Sequence, residues 1–207
     1  MKTEQEYMKD LTEIRSMMER STKFLSLSGW SGIMAGIYAL IGVYIAYDFY
    51  FADAASDNNT FNRQEITNDF SNLILLALLI LVLAIGTAVF FSYKRSGKTK
   101  EGLWNSAARR LVVNMALPLL TGGIFILVLL SKGLLGLIAP VSLIFYGLAL
   151  LNASKFTYKE VKILGLVEIG LGLVSSYFVE DSLLFWALGF GLVHIVYGIF
   201  MHYKYEK

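Results

Sequence analysis

The sequence predicts an all-α integral membrane protein, a bundle of about six transmembrane helices preceded by a cytoplasmic amphipathic helix. Three observations predict it. The 207 residues are 56% hydrophobic and 16% charged, against roughly 45–50% and about 25% in an ordinary soluble domain. The apolar residues gather in blocks of about twenty, enough at ~1.5 Å rise per residue to cross ~30 Å of hydrocarbon. The basic residues alternate from one connection to the next. Blocks of this length leave little chain for a soluble domain, so 1–28 reads as the helix and 29–207 as one transmembrane unit.

Residues 3–27 form the predicted amphipathic helix. Thr3 and Glu6 have capping-box spacing, and Tyr7, Leu11, Ile14, Met18 and Leu25 recur on one face. Lys9–Glu13, Arg15–Glu19 and Glu19–Lys23 are opposite charges four apart, which suits a solvated face. Basic and acidic residues cancel along it, whereas helices that lie on anionic membranes carry excess Lys and Arg. The expected partner of its apolar stripe is therefore protein: this bundle, a second copy or another chain. A cleaved signal is not expected, because the apolar run from Gly29 to Tyr50 is too long and lies too far from the start.

The spans follow at about 29–50, 71–93, 111–130, 134–152, 162–179 and 183–203, with a tight turn at Ser131-Lys132-Gly133. Lys2, Lys9, Arg15, Arg20, Lys23, Lys94, Arg95, Lys98, Lys100, Arg109, Arg110, Lys155, Lys159, Lys162, Lys204 and Lys207 fall on one side. Only Arg63 and Lys132 fall on the other, among the acids of the 48–69 loop and Glu180 and Asp181. The positive-inside rule makes the basic side cytoplasmic. The expected location is a bacterial inner membrane, multi-pass, with both termini in the cytoplasm.

Small residues mark the faces on which helices approach closely in lipid. They are Ser28, Gly32 and Gly36 in span 1, Gly165, Gly172 and Ser175 or Ser176 on the face of Glu168 in span 5, and Ala187, Gly191 and Gly198 on the face of His194 in span 6. Span 2 has no such face and is expected on the lipid-facing perimeter. Tyr146-Gly147 and Tyr197-Gly198, 51 residues apart, hint at a duplicated hairpin. Pro118 and Pro140 are each expected to free a carbonyl within a span.

Glu168, His194 and Tyr197 are the candidate ligand- or proton-binding residues. A carboxyl inside a span costs about 2.5–3.5 kcal/mol to insert, so such groups turn inward and mark function. Low dielectric disfavours its charge, so Glu168 is expected neutral unless a charged His194 stands beside it. Counted from Lys162 and Lys204, the two lie at ~9 and ~15 Å from the cytoplasmic ends. Their side chains also lean apart, so a bridge through water or Tyr197 is expected rather than direct contact.

Gly29-Trp30-Ser31-Gly32 is similar to the G-x-S-G tetrapeptide of rhomboid intramembrane proteases, which also have six core spans and a histidine in the last. Those enzymes carry the serine in the fourth span. Here Ser31 opens the first, shallower than His194, so proteolysis does not follow.

The absence of cysteine excludes disulfides and thiolate chemistry. No cofactor or metal motif is present, and no reader of nucleic acid; the basic 94–110 stretch is expected against lipid headgroups. The expected partners are membrane lipids and, through residues 3–27, a protein or a second copy. Two functions stand open: a small transport or ligand-binding bundle around Glu168 and His194, or a membrane interaction or regulatory subunit acting through its N-terminal helix. An enzyme is the third choice, for want of any nucleophile–base set.

Overall fold

The computed structural model describes residues 23–48, 63–99 and 104–207. Most of the expected N-terminal helix, 3–22, and most of the acidic loop, 49–62, lie outside the described residues. The protein is 89% helical and has no strand among the described residues.

Among the described residues, six long helices build it. They are α1 (Gly29–Ala46), α2 (Arg63–Thr99), α3 (Ser106–Ser131), α4 (Ile138–Ala153) and α5 (Glu160–Tyr177), followed by α6. The last is one continuous rod in three windings: α-helical Ser182–Trp186, π-helical Ala187–Val193 and α-helical His194–Tyr205. Among the described residues, five apolar stretches are long enough to cross a membrane: Gly29–Ala46, Asn72–Gly97, Ser106–Ser131, Leu135–Phe156 and Val179–Tyr205. The helix α5 has 18 residues but carries Glu160, Lys162 and Glu168, which sets it apart from those five.

Local chemistry explains the boundaries. Asn105 caps α3, its side chain accepting from the Ala108 N–H at 2.8 Å. At the other end Gly133 adopts φ 72°, and the Gly133 and Leu134 N–H groups reach back to Leu130 and Leu129. That is a Schellman stop, satisfying carbonyls the helix would otherwise leave open. Pro140 corrects an expectation: it sits in the first turn of α4, where the missing N–H has no helical partner to lose. Pro118 does lie inside its helix.

The expected amphipathic helix does not reach Leu27. Residues 24–28 are non-helical because their backbone groups are taken elsewhere. Phe24 donates to the Phe156 carbonyl at 2.7 Å and accepts from Thr157 at 2.8 Å, and the Tyr158 hydroxyl donates to the Leu25 carbonyl at 2.7 Å. Phe24 and Leu25 thereby seat between helices as apolar plugs against Ala107, Ala153, Tyr158 and Val161.

The helices pack in two groups of three. α1 lies between α2 and α6, and α4 lies between α3 and α5; the first half of α6 leans on α4 and α5 and joins the groups. As its composition requires, α2 faces outward, with Leu75 and Val82 largely exposed.

Each group is closed by a seam of glycines, and the seams match residue for residue. A Cβ on Gly36 would meet the Gly191 carbonyl and Ile195; one on Gly172 would meet the Pro140 carbonyl and Ile144. A Cβ on Gly198 would meet the Gly29 carbonyl and Ile33; one on Gly147 would meet the Gly165 carbonyl and Ile169. So α6 on α1 repeats α4 on α5, and the two Tyr-Gly dipeptides hold equivalent places. In this correspondence Glu168 matches Gly32, and His194 matches Leu143.

Gly147→Ala and Gly198→Ala are expected to destabilise the protein by about 1–3 kcal/mol each, as overpacked contacts do. Gly86→Ala and Gly123→Ala, which face open space, should leave stability unchanged or raise it by up to ~1 kcal/mol. Unfolding in mixed detergent with increasing dodecyl sulfate measures both.

Candidate functional site

Where the first half of α6 meets α4 and α5, three polar side chains converge in an otherwise apolar setting. Glu168 of α5 is fully buried and His194 of α6 is 5% exposed. Glu168 Oε1 lies 3.4 Å from His194 Nδ1. On the other side of the ring, His194 Nε2 stands 2.9 Å from the Tyr146 hydroxyl of α4. His194 Nδ1 is also 2.9 Å from the Gly189 carbonyl.

The direct approach of Glu168 and His194 corrects the expected water or Tyr197 bridge. Two local features close the gap. α5 begins at Glu160, so Glu168 sits ~12 Å along its helix rather than ~9 Å. Gly189 then leaves a hollow for the carboxyl: a Cβ there would lie 2.6 Å from Glu168 Oε2 and 2.6 Å from Leu143 Cδ2. The π-helical winding supplies the third contact, placing the carbonyl five residues back, that of Gly189, on the imidazole. Single π turns inside helices recur at functional sites.

Tyr197 makes no hydrogen bond to Glu168 or His194 among the described residues; it packs, as Tyr146 does, against the core of Leu150, Tyr158, Val161, Leu164 and Met201. Tyr146 takes the place expected for it. The dipeptide repeat singles out Tyr146 for symmetry alone, and only the packing of α4 on α6 reveals its chemistry. Phe190 stacks on the imidazole at 5.8 Å and 21°, and Trp186 lies 4.9 Å from Phe190. The serine of the G-x-S-G tetrapeptide is unrelated to this site, since Ser31 Oγ donates to the Ser28 carbonyl.

The arrangement dictates the proton chemistry. A carbonyl can only accept, so Nδ1 carries hydrogen toward Gly189. With a neutral ring, Nε2 accepts from Tyr146 and the Glu168 carboxyl is left without a hydrogen-bond partner among the described residues. With the proton moved from Glu168 to Nε2, the Tyr146 hydroxyl turns to accept, and an imidazolium faces a carboxylate. The same proton count thus has two charge patterns, set by which of the two groups holds the proton. Two turns along the same face of α5, Ser175 Oγ is also fully buried and unpartnered among the described residues. No third His, Asp or Glu among the described residues completes a metal site.

A second polar cluster closes one end of the bundle. The Arg95 guanidinium of α2 donates to Glu206 Oε1 at 2.6 Å, the Leu27 carbonyl at 2.8 Å, the Tyr205 carbonyl at 3.0 Å and the Tyr158 hydroxyl at 3.1 Å. Glu206 also accepts from the Gly29 N–H at 2.8 Å and pairs with His202 at 2.6 Å. This clasp ties α2, the 24–28 segment, the connection before α5 and the end of α6 at one point. By sequence Arg95 belongs to the basic 94–110 stretch expected against lipid headgroups; its role depends on chain ends that meet only in the fold.

Burial works against the charge of Glu206, but hydrogen bonds from His202, the Gly29 N–H and Ser28, with the Arg95 charge, outweigh it and hold the carboxyl below its usual value. A lowered carboxyl contributes stability that is complete above its unfolded value and lost as pH falls through the folded one. The unfolding midpoint is therefore expected to drop on acidification below about pH 5, and Glu206→Gln should flatten that limb. Arg95→Ala should cost about 2–3 kcal/mol at neutral pH, since it strips a charged hydrogen-bonding partner from several buried acceptors.

Compared with known proteins, the chain matches no family model, no curated protein and no solved structure.

Proposed function

We propose that this is a small six-span membrane protein that binds or moves a solute in step with a proton, with Glu168, His194 and Tyr146 as the proton-holding site. The carrying observation is the fully buried Glu168 carboxyl, without a hydrogen-bond partner among the described residues, 3.4 Å from the imidazole of His194. Ionisable groups inside a membrane bundle are costly and are retained where they relay protons or bind substrate. The location supports this reading, since the cluster lies where the two helix groups meet. A change in its charge pattern would alter the contact between α6 and the α4–α5 pair. Taken this way, the described state is the occluded one: Gly189 and Leu143 close directly on the carboxyl.

The close packing favours a second reading, in which the core is structural and the protein acts as an interaction or regulatory subunit through its N-terminal segment. Glu168→Gln separates the two. It preserves the shape of a neutral acid and cannot give up a proton. Trp186 reports on the site through Phe190, so the purified protein is titrated by tryptophan fluorescence and by infrared absorption of the carboxyl. The proton-coupled reading expects a fluorescence transition between about pH 5 and 8 that disappears in Glu168→Gln and His194→Gln while helicity is kept. An identical titration in wild type and both variants would leave the structural reading.

For orientation, the side of the bundle holding Arg95, Lys155 and Lys159 is proposed to be cytoplasmic, in the inner membrane of a bacterium, with α5 as the sixth span. Ser96, being buried, is a poor labelling position. Lys159 and Lys132 are exposed at opposite ends, and the chain has no cysteine of its own. An impermeant maleimide added to intact cells should label a cysteine at position 132 and spare one at 159; the reverse pattern would invert the topology.

A further inference from the structure

We propose that the start of α3 is a binding site for an anionic phospholipid, independent of the Glu168 cluster. A groove there is lined by Trp104, Asn105, Ser106, Arg109, Arg110 and Asn114. Both arginines are exposed, and neither side chain is held by a carboxylate among the described residues. That separates them from Arg95, whose charge is spent inside the bundle on Glu206. Asn114 spends one amide hydrogen on the Arg110 carbonyl at 2.8 Å, which leaves the second amide hydrogen as a donor at the groove. Two guanidiniums beside an amide and an indole offer the planar, bidentate donors that suit a phosphate diester.

The surface below the groove says which phosphate. Val113, Leu117, Leu120 and Ile124 continue along α3 at helical spacing, and each is at least 60% exposed. They form one apolar stripe leading directly away from the arginines. From Val113 to Ile124 it runs ~16 Å at ~1.5 Å per residue, about half of the ~30 Å hydrocarbon thickness. A soluble anion would use the arginines and ignore the stripe. An acyl chain of a single leaflet fits it from headgroup to midplane. Trp104, 71% exposed at the top of the groove, has the amphipathic ring found at headgroup level in membrane proteins. A negatively charged headgroup completes the match, because the two charges facing the groove are positive and a zwitterionic lipid would bring its own cation against them.

The test uses full-length protein with Trp30→Phe and Trp186→Phe, so that Trp104 is the sole tryptophan, excited selectively over the tyrosines. It is reconstituted in phosphatidylcholine bilayers holding a graded fraction of dibrominated phosphatidylglycerol or, in parallel, dibrominated phosphatidylcholine. Bromine quenches only at contact. Half-maximal quenching is expected at a three- to tenfold lower fraction of the anionic lipid, with the preference lost in Arg109→Gln/Arg110→Gln. Equal quenching by both lipids, or a preference that survives the double glutamine variant, would overturn the proposal. Relief of quenching by millimolar inorganic phosphate at constant ionic strength would also overturn it, by assigning the arginines to a soluble anion. Should the tryptophan-reduced protein fail to fold, native mass spectrometry of the wild type and Arg109→Gln/Arg110→Gln decides the matter. The wild type is then expected to retain phosphatidylglycerol that the double variant loses, and equal retention by both would overturn the proposal.

Discussion

Where lipid replaces water, the hydrophobic effect gives helices no reason to prefer one another over acyl chains, and association rests on how closely backbones can approach. In this protein that approach is made at glycines. Gly198 against Gly29, and Gly147 against Gly165, bring helix axes near enough that a single added methyl group would enter a backbone oxygen. Everything else hangs from these two seams. They hold α6 on α1 and α4 on α5 as firm pairs, and they leave the junction between the pairs to bulkier, polar side chains. That division puts Glu168 and His194 at the boundary of two bodies instead of inside one.

The two polar clusters do different physical work. The Arg95 clasp consists of charge-assisted bonds to carbonyls and a carboxylate whose acceptors would otherwise be open. It resembles the capped end of a helix, extended over four segments. The Glu168 cluster is the opposite kind of object. Its carboxyl oxygens lack hydrogen-bond partners among the described residues, and its imidazole already serves Gly189 and Tyr146. A buried polar group left in that condition costs free energy, and folds keep such groups where something other than stability is gained.

Much of this architecture is legible in the chain. Spans, the turn at Gly133 and the small faces follow from hydropathy, Gly φ freedom and four-residue spacing, all local properties. Glu168 and His194 stand out because ionisable groups are rare in apolar blocks. What cannot be read depends on relations between distant residues. Nothing local says that Ala187–Val193 winds as a π-helix, and that winding sets which carbonyl meets His194. The exclusion of Tyr197 in favour of Tyr146 is a question of which of two matching dipeptides faces the junction. Arg95 reads as a headgroup contact in the sequence because its acceptors come from the distant Leu27, Tyr158, Tyr205 and Glu206. The end of the N-terminal helix is overextended for a similar reason: periodicity cannot see that the Phe24 N–H is claimed by Phe156.

The matched seams carry a consequence for how the molecule answers acidity. Backbone geometry treats α1 and α5 alike, yet one has a glycine at position 32 where the other has a carboxylic acid at 168. At that place the α1–α6 seam therefore carries no titratable group, and the acid-sensitive contact of its half lies at the helix ends, in the Arg95–Glu206–His202 clasp. The α4–α5 seam has the Glu168 carboxyl at the matching place. The two seams thus share a backbone geometry and differ in chemistry, so a proton gained or lost at Glu168 has no counterpart in the twin seam.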